Sequence, residues 1–551
     1  MSWRHIALAR EVLRSELGAT ISDWGGRVPV ALAYPNSYRV GMSSLAIHGL
    51  YRWFNAMPGV VCERVFAGLG KEVNSNDPPC TLESQRPIKD VALLAFSVSY
   101  ELDYLNLINM LRRADIPARA EERGAGDPIV LLGGPAVAAN PEPLALVADA
   151  IVVGEAETLL DDLVDAMRGS WGEDRQATLA KLAHLPGVYV PLSYRGQAIL
   201  RQWLRNLDDY PLATSIVAPR AEFGDMHLIE ISRGCGRGCR FCLAGYWYRP
   251  PRERNLELIL AQAREALAQQ RRKIGLVAAA VSDYSHIDEL VTELRGLGAA
   301  ISVSSLRVAP LSPTLLRALA ESGSRTITFA PEAGSERLRR VINKCVTYDQ
   351  IMAATSLAAK ERFETLKLYF MLGLPGESDQ DIEELIRLVM EVKAAFPRKV
   401  VVNLTPFVPK AHTPFQRAAM APQATIEGRL ARIGGEMRRA RIEVRSENVD
   451  ATRVQGVLAR GDRRVSEALL GMRQLSLRHL ESALGDRGTA PEEYLGEWPP
   501  DRPLPWGFVA SQVSAVYLGV EDRHSQQEIT TEACAPEVCR RCGVCPSEGG
   551  R

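Results

Sequence analysis

Glu230-Ile-Ser-Arg-Gly-Cys-Gly-Arg-Gly-Cys-Arg-Phe-Cys-Leu-Ala-Gly245 closes an apolar, strand-like run at 227–231 and spaces three thiols as Cys235-x3-Cys239-x2-Cys242. No fourth cysteine lies nearby. A four-iron cluster normally takes four thiolates, so three from one loop leave one iron open. Gly234, Gly236, Gly238 and Gly245 let such a loop wrap a cluster closely. The competing reading is a structural zinc site with a remote fourth ligand. Zinc knuckles usually come as two separated cysteine pairs, and no matching pair follows at the usual distance.

Outward from this loop, apolar runs at 274–279, 300–304, 326–329, 365–370 and 400–405 alternate with helical patterns. With 227–231 they predict a partial (β/α)6 barrel over residues 222–422. Upstream, runs at 28–33, 91–97, 128–132 and 150–153 alternate with amphipathic stretches at 104–114 and 157–167. That predicts an α/β, doubly wound domain over 1–204, with ligands at the carboxyl edge of its sheet. A linker at 206–222 joins the two. Residues 424–500 read as a charge-rich helical extension, and 501–551 as a tail with a second cysteine group.

The chain has 551 residues, enough for several domains, with 66 Lys and Arg balancing 66 Asp and Glu. The zero net charge lacks a strong nucleic-acid footprint. Charged residues interrupt the first thirty positions, and no apolar run reaches membrane-spanning length, so a cytoplasmic protein is expected. In that setting, tight cysteine groups point to metal ligation rather than disulfides.

The open iron of a three-thiolate cluster can bind the amino and carboxylate groups of S-adenosylmethionine. From residue 228 to about 415 the chain resembles the radical S-adenosylmethionine superfamily, which carries this motif at the first barrel strand. The resemblance implies a [4Fe-4S] cluster that reductively cleaves S-adenosylmethionine to a 5′-deoxyadenosyl radical. It implies that Phe241 packs near the adenine, and that Gly373 and Gly376, in Met371-Leu-Gly-Leu-Pro-Gly-Glu377, border it. Ser304 and Arg307 resemble residues that meet the ribose and carboxylate, and Glu332 resembles another such contact. The family's usual Gly-Gly-Glu after the second strand is replaced by Ala278-Ala-Ala-Val-Ser-Asp283, where Ser282 and Asp283 stand in. Each of these positions also reads as a turn or helix cap.

Asn36-Ser-Tyr38-Arg-Val-Gly41 stands where cobalamin-binding domains carry Asp-x-His-x-x-Gly. Tyr38 replaces the cobalt-ligating His. Gly133, Gly134 and Gly154 resemble the loops that enclose the cofactor's nucleotide tail. The whole chain is similar to a bacterial branch of radical S-adenosylmethionine proteins with an N-terminal cobalamin-binding-like domain. Asn140-Pro-Glu-Pro143, Phe407-Val-Pro-Lys-Ala-His-Thr-Pro-Phe415 and Arg460-Gly-Asp-Arg-Arg464 carry that likeness. Cobalamin bound without a protein ligand and a degenerate docking domain both remain open.

Cys534-x4-Cys539-x2-Cys542-x2-Cys545-Pro546 supplies four thiols. Its last three, with the proline, resemble part of a ferredoxin loop, and structural zinc is the alternative. Cys62 and Cys80 read as packed thiols and Cys345 as an inert small residue. His48 and His412 read as hydrogen-bonded structural residues.

The expected activity is a transferase-type radical reaction: cobalamin-assisted methylation, or another modification, of an unactivated carbon. A flavodoxin- or ferredoxin-like reductant is the expected partner. The substrate is not legible, no membrane is implied, and charge does not support nucleic acid. The alternatives are an RNA-modifying enzyme resembling methylthiotransferases and a non-catalytic iron–sulfur redox protein.

Overall fold

Val28–Ser37 (β1) is buried along nearly its whole length, as a strand inside a parallel sheet must be. It pairs in parallel with Val60–Gly68 (β2) and Leu93–Ser97 (β3). Ile129–Gly133 (β4) and Ala150–Val152 (β5) continue the sheet, and Val188–Tyr189 (β6) closes it antiparallel. The order is β2-β1-β3-β4-β5-β6. Because side chains alternate along a strand, Val30 and Leu32 join Ile47 and Phe54 of helix Leu45–Ala56 on one face. Ala31 and Ala33 join Leu107 and Leu111 of helix Tyr104–Arg113 on the other. The computed structural model describes residues 2–70, 77–168 and 174–545; Pro546 lies outside them.

β2 goes beyond the sequence reading, because Glu63 and Arg64 make its run look exposed. Both are buried. Arg64 is held by Glu16 at 2.6 Å and Glu83 at 2.7 Å, and Glu63 accepts from Trp24 Nε1 at 2.9 Å.

The second unit begins with His227–Glu230 (β7), Lys273–Val277 (β8) and Ala300–Ser302 (β9), which form a parallel sheet ordered β9-β8-β7. Thr326–Glu332 (β10), Thr365–Leu372 (β11), Lys399–Pro406 (β12) and Glu443–Ser446 (β13) form a second parallel sheet in that order. A bridge between Leu306 and Phe329 joins the two sheets. In β11, Leu366, Leu368, Phe370 and Leu372 are buried, while the alternate Lys367, Tyr369 and Met371 are more exposed. The barrel therefore keeps one side open.

β13 corrects the all-helical reading of 424–500. Its charged Glu-Val-Arg-Ser sequence hid a strand paired with residues 401–404. The helices that follow it, Val449–Arg460, Arg463–Gly471 and Leu477–Gly485, share one apolar core with the first domain: Val457, Leu469 and Leu480 belong to the same cluster as Leu107 and Leu111. Asn140 Nδ2 donates to the carbonyls of Ala459 at 3.1 Å and Gly461 at 2.9 Å, and Arg463 meets Glu142 at 3.0 Å. The phrases at 140–143 and 460–464 are two halves of one contact. Ile199–Leu200 pairs with Val509–Ala510, so the tail returns to the first domain. No helix among the described residues is long and apolar enough to cross a membrane.

Candidate functional site

The thiol loop leaves the carboxyl end of β7. Ser232–Arg233 pairs antiparallel with Arg252–Glu253 and pinches the loop at its base. Gly234 (φ +85°) has no room for a Cβ, which would lie 2.4 Å from the Tyr248 carbonyl oxygen. Gly238 (φ +70°) makes the next left-handed turn. The Cys242 N–H donates to the Cys239 carbonyl at 3.0 Å, folding the three thiols into one neighbourhood. Burial pushes the Cys239 thiol up to about 12; Lys344 works against that rise, and Cys242 and Cys235 add to it. Such thiols ionise readily only with a cationic centre to share the charge, which a metal cluster supplies.

Side chains from the next strand ends gather around this loop. After β8, Asp283 receives two hydrogen bonds from Arg237, at 2.8 and 2.6 Å, and lies 3.7 Å from Arg307 beyond β9. Ser282 is buried, and its Oγ has no hydrogen-bond partner. Glu332, at the end of β10 with φ +68°, pairs with Lys344 at 3.3 Å. Burial raises its carboxyl above the usual range, although Lys344 and Arg307 pull it back. Phe241 packs against Leu338, Leu374, Phe407 and Phe415. The Gly373 N–H (φ +78°) donates to Glu377 at 2.6 Å, and burial pushes that carboxyl up to about 7. Gly376 accepts from Arg337 at 2.7 Å. Ser304 is exposed on the loop after β9. Lys344, beside Glu332, is a residue that the sequence reading did not single out; its neighbour Cys345, read as an inert small residue, is exposed.

A cavity of about 300 Å³ lies between the first domain and the barrel. Gly133, Gly134 and Gly154 line it from the carboxyl edge of β4 and β5, and Glu230, Arg233 and Tyr248 line it from the thiol loop. The switch in strand order between β1 and β3 is where doubly wound sheets bind ligands, and Leu32 and Phe96 contribute walls there. Arg233 bridges the domains, contacting Glu155 at 2.9 Å, Glu157 at 2.8 Å and Glu230 at 2.9 Å.

Asn36, Tyr38 and Gly41 do not line this cavity, and the side chains of Asn36 and Tyr38 are engaged elsewhere in the first domain. Asn36 donates to Asp103 at 2.7 Å. Tyr38 donates to Glu16 at 2.5 Å and so joins the buried Arg64 network. Gly41 is required by packing, since a Cβ would overlap Phe66 at 2.6 Å. His48 is satisfied by the Met42 carbonyl at 3.0 Å and His412 by that of Ala139 at 3.1 Å. Burial lowers their pKa values to about 4 and about 3. Cys62 and Cys80 are buried free thiols. The tail thiols lie beside the loop: the Cys534 N–H donates to the Gly236 carbonyl at 2.7 Å. Among the described residues no three His, Cys, Asp or Glu side chains converge on a single metal ion.

Residues 229–389 match the family model of the radical SAM superfamily, and residues 46–191 match that of radical SAM proteins, N-terminal. Uncharacterized protein MJ0966 of Methanocaldococcus jannaschii is 35% identical over 447 residues, covering 80% of this chain and 90% of that protein. Uncharacterized methyltransferase PH0819 of Pyrococcus horikoshii is 25% identical over 302 residues, 50% of this chain and 61% of its own length. The structure of the radical S-adenosylmethionine methyltransferase TsrM from Kitasatospora setae, with cobalamin and a [4Fe-4S] cluster bound, has the same fold. Its TM-score is 0.53 at 15% identity, over 84% of this chain and 99% of that one. Alike to one relative along nearly its whole length and matched by the core model over its barrel, this chain belongs to the radical S-adenosylmethionine superfamily.

Proposed function

We propose that this radical S-adenosylmethionine enzyme methylates an unactivated carbon with the help of cobalamin held between its first domain and its barrel. The observation that carries the reading is the shared cavity: one wall is the carboxyl edge of the N-terminal sheet, and the other is Glu230, Arg233 and Tyr248 of the thiol loop. At about 300 Å³ the cavity is at the small end of ligand pockets, so a corrinoid would enter it with only part of its bulk. TsrM, whose fold this chain shares, holds cobalamin and a [4Fe-4S] cluster.

Cys235, Cys239 and Cys242 are the thiolates for the [4Fe-4S] cluster, and three of them suit a cluster with one open iron. When bound, the cluster supplies the electron that breaks a carbon–sulfur bond of S-adenosylmethionine, and cobalamin supplies a methyl carrier. The chain's own residues orient and shield the reactants. The unpartnered Ser282 hydroxyl and the Asp283 carboxylate would receive the methionine amino group. Arg307 and Lys344 would offer charge to its carboxylate and Ser304 would meet the ribose, while Glu332 tethers Lys344. Phe241 and the backbone at Gly373 and Gly376 border the adenine. The buried apolar side of the barrel, Leu366, Leu368, Phe370 and Leu372 among it, fixes the strand ends that carry these residues. A flavodoxin- or ferredoxin-like protein is the proposed reductant, and a reducing cytoplasm suits ligating thiols.

Gly133 offers the test. A Cβ there meets only Val152 Cβ, at 3.9 Å, so Gly133→Leu adds bulk to the cavity without backbone strain. Titration with hydroxocobalamin, followed by absorbance, is expected to give a binding curve for the wild type and about tenfold or greater weakening in Gly133→Leu, because the added methylenes overpack the site. No binding by the wild type overturns the cobalamin reading and leaves S-adenosylmethionine cleavage standing.

A further inference from the structure

We propose that Cys534, Cys539, Cys542 and Cys545 hold a second iron–sulfur cluster, docked on the loop of the first and delivering electrons to it. The delivery role rests on the loop-cluster reading above; the site itself does not.

The tail is built into the loop. The Cys534 N–H donates at 2.7 Å to the carbonyl of Gly236, the residue bonded to Cys235. A Cβ on Gly236 would lie 3.0 Å from the Cys534 carbonyl oxygen, so the two backbones meet where glycine fits best. Asn343 stitches the segments together: its Nδ2 donates to the carbonyls of Gly238 and Thr531, each at 3.1 Å, and its Oδ1 accepts the Thr531 N–H at 2.9 Å. Arg240, fully buried next to Cys239, pairs with Glu521 at 3.1 Å and donates to the Ile529 carbonyl at 2.7 Å. Cys542 is 3% exposed, in a small core with Tyr246 of the loop and with Val513, Tyr517 and Leu518. The left-handed turn at Gly543 (φ +83°) redirects the chain between Cys542 and Cys545.

The junction lies directly against the loop that carries the first set of thiols, a position suited to passing electrons between two clusters; a structural zinc, held by about 2.3 Å bonds to its four sulfurs, needs no such neighbour. A guanidinium suits an anionic cluster here: Arg541 Nε donates to Cys539 Sγ at 3.4 Å. Four thiolates occupy every iron, so this cluster has no open corner for a substrate and is left with electron storage. A one-electron donor of the flavodoxin or ferredoxin class reduces it, and the same electron passes on to the loop cluster. The tail cluster returns to its oxidised form, with no bond made or broken. One hydrogen bond, from Cys534 to Gly236, separates the two ligand segments.

The test uses the full chain reconstituted anaerobically with iron and sulfide. The wild type is compared with Cys539→Ala/Cys545→Ala, at two partly exposed positions, and with the triple change Cys235→Ala/Cys239→Ala/Cys242→Ala. The expected content is about eight irons and eight sulfides in the wild type and about four in each variant, two four-iron clusters being independent. Retention of about four irons by the loop variant separates the tail site from the loop reading. About four irons in both the wild type and the tail variant, or one zinc per chain that the tail variant loses, overturns the tail cluster. Reduction of the loop cluster by a reduced ferredoxin-type donor, followed in stopped flow, is expected to slow at least about tenfold in the tail variant. An unchanged rate overturns the relay.

Discussion

A buried hydroxyl without a partner costs about 1–3 kcal/mol, and Ser282 keeps one beside the ion pair that ties Asp283 to the thiol loop. Replacing Ser282 by Ala should therefore leave stability to urea unchanged or raised. It should weaken S-adenosylmethionine about tenfold in equilibrium binding, the worth of one hydrogen bond. Unaltered affinity would remove Ser282 from the site. The three cysteines were readable at this scale because their ligand geometry is local to one loop. Tyr38 was not: its partner, Glu16, precedes it by 22 residues and draws it away from the cavity. Lys344 was hidden because its partner, Glu332, reaches it only once β10 ends in a positive-φ residue.

Strand ends bring the two domains into register, and Arg233 at the base of the thiol loop is the residue most exposed to that arrangement. It sits among Glu155, Glu157 and Glu230. Arg252 and Arg254 also hold Glu155 and Glu230, whereas Glu157 has Arg233 as its ion-pair partner among the described residues. Arg233→Met keeps most of the volume but strands the Glu157 carboxylate, at a cost of about 3 kcal/mol. Urea unfolding of the reconstituted protein should register that loss. A change below about 0.5 kcal/mol would mean that the carboxylates are solvated rather than bridged. Element by element, the long apolar runs were legible because fully buried parallel strands are continuously hydrophobic. β2 was not, because its buried charges are neutralised by partners distant in sequence, and β13 was not, because it is a half-exposed edge strand whose charged residues face solvent.

Across the whole molecule, the first domain, the helical extension and the tail share cores and strand pairs, so the assignment of residues 424–500 and 501–551 to separate units describes sequence texture better than packing. Composition and periodicity reveal which segments are buried, but not against which neighbour. The same closure places a thiol loop, a domain-spanning cavity and a four-cysteine tail around one centre, which an RNA methylthiotransferase reading does not require. That reading also leaves Cys62 and Cys80 of the first domain without a role, since both are packed as free thiols. The central claim is tested by incubating the reconstituted protein anaerobically with dithionite and S-adenosylmethionine and quantifying 5′-deoxyadenosine by chromatography, beside the triple variant lacking Cys235, Cys239 and Cys242. Nucleoside formed by the wild type and absent from the variant is the predicted result; equal amounts from both, or none from a wild type fully loaded with iron and sulfide, would contradict it.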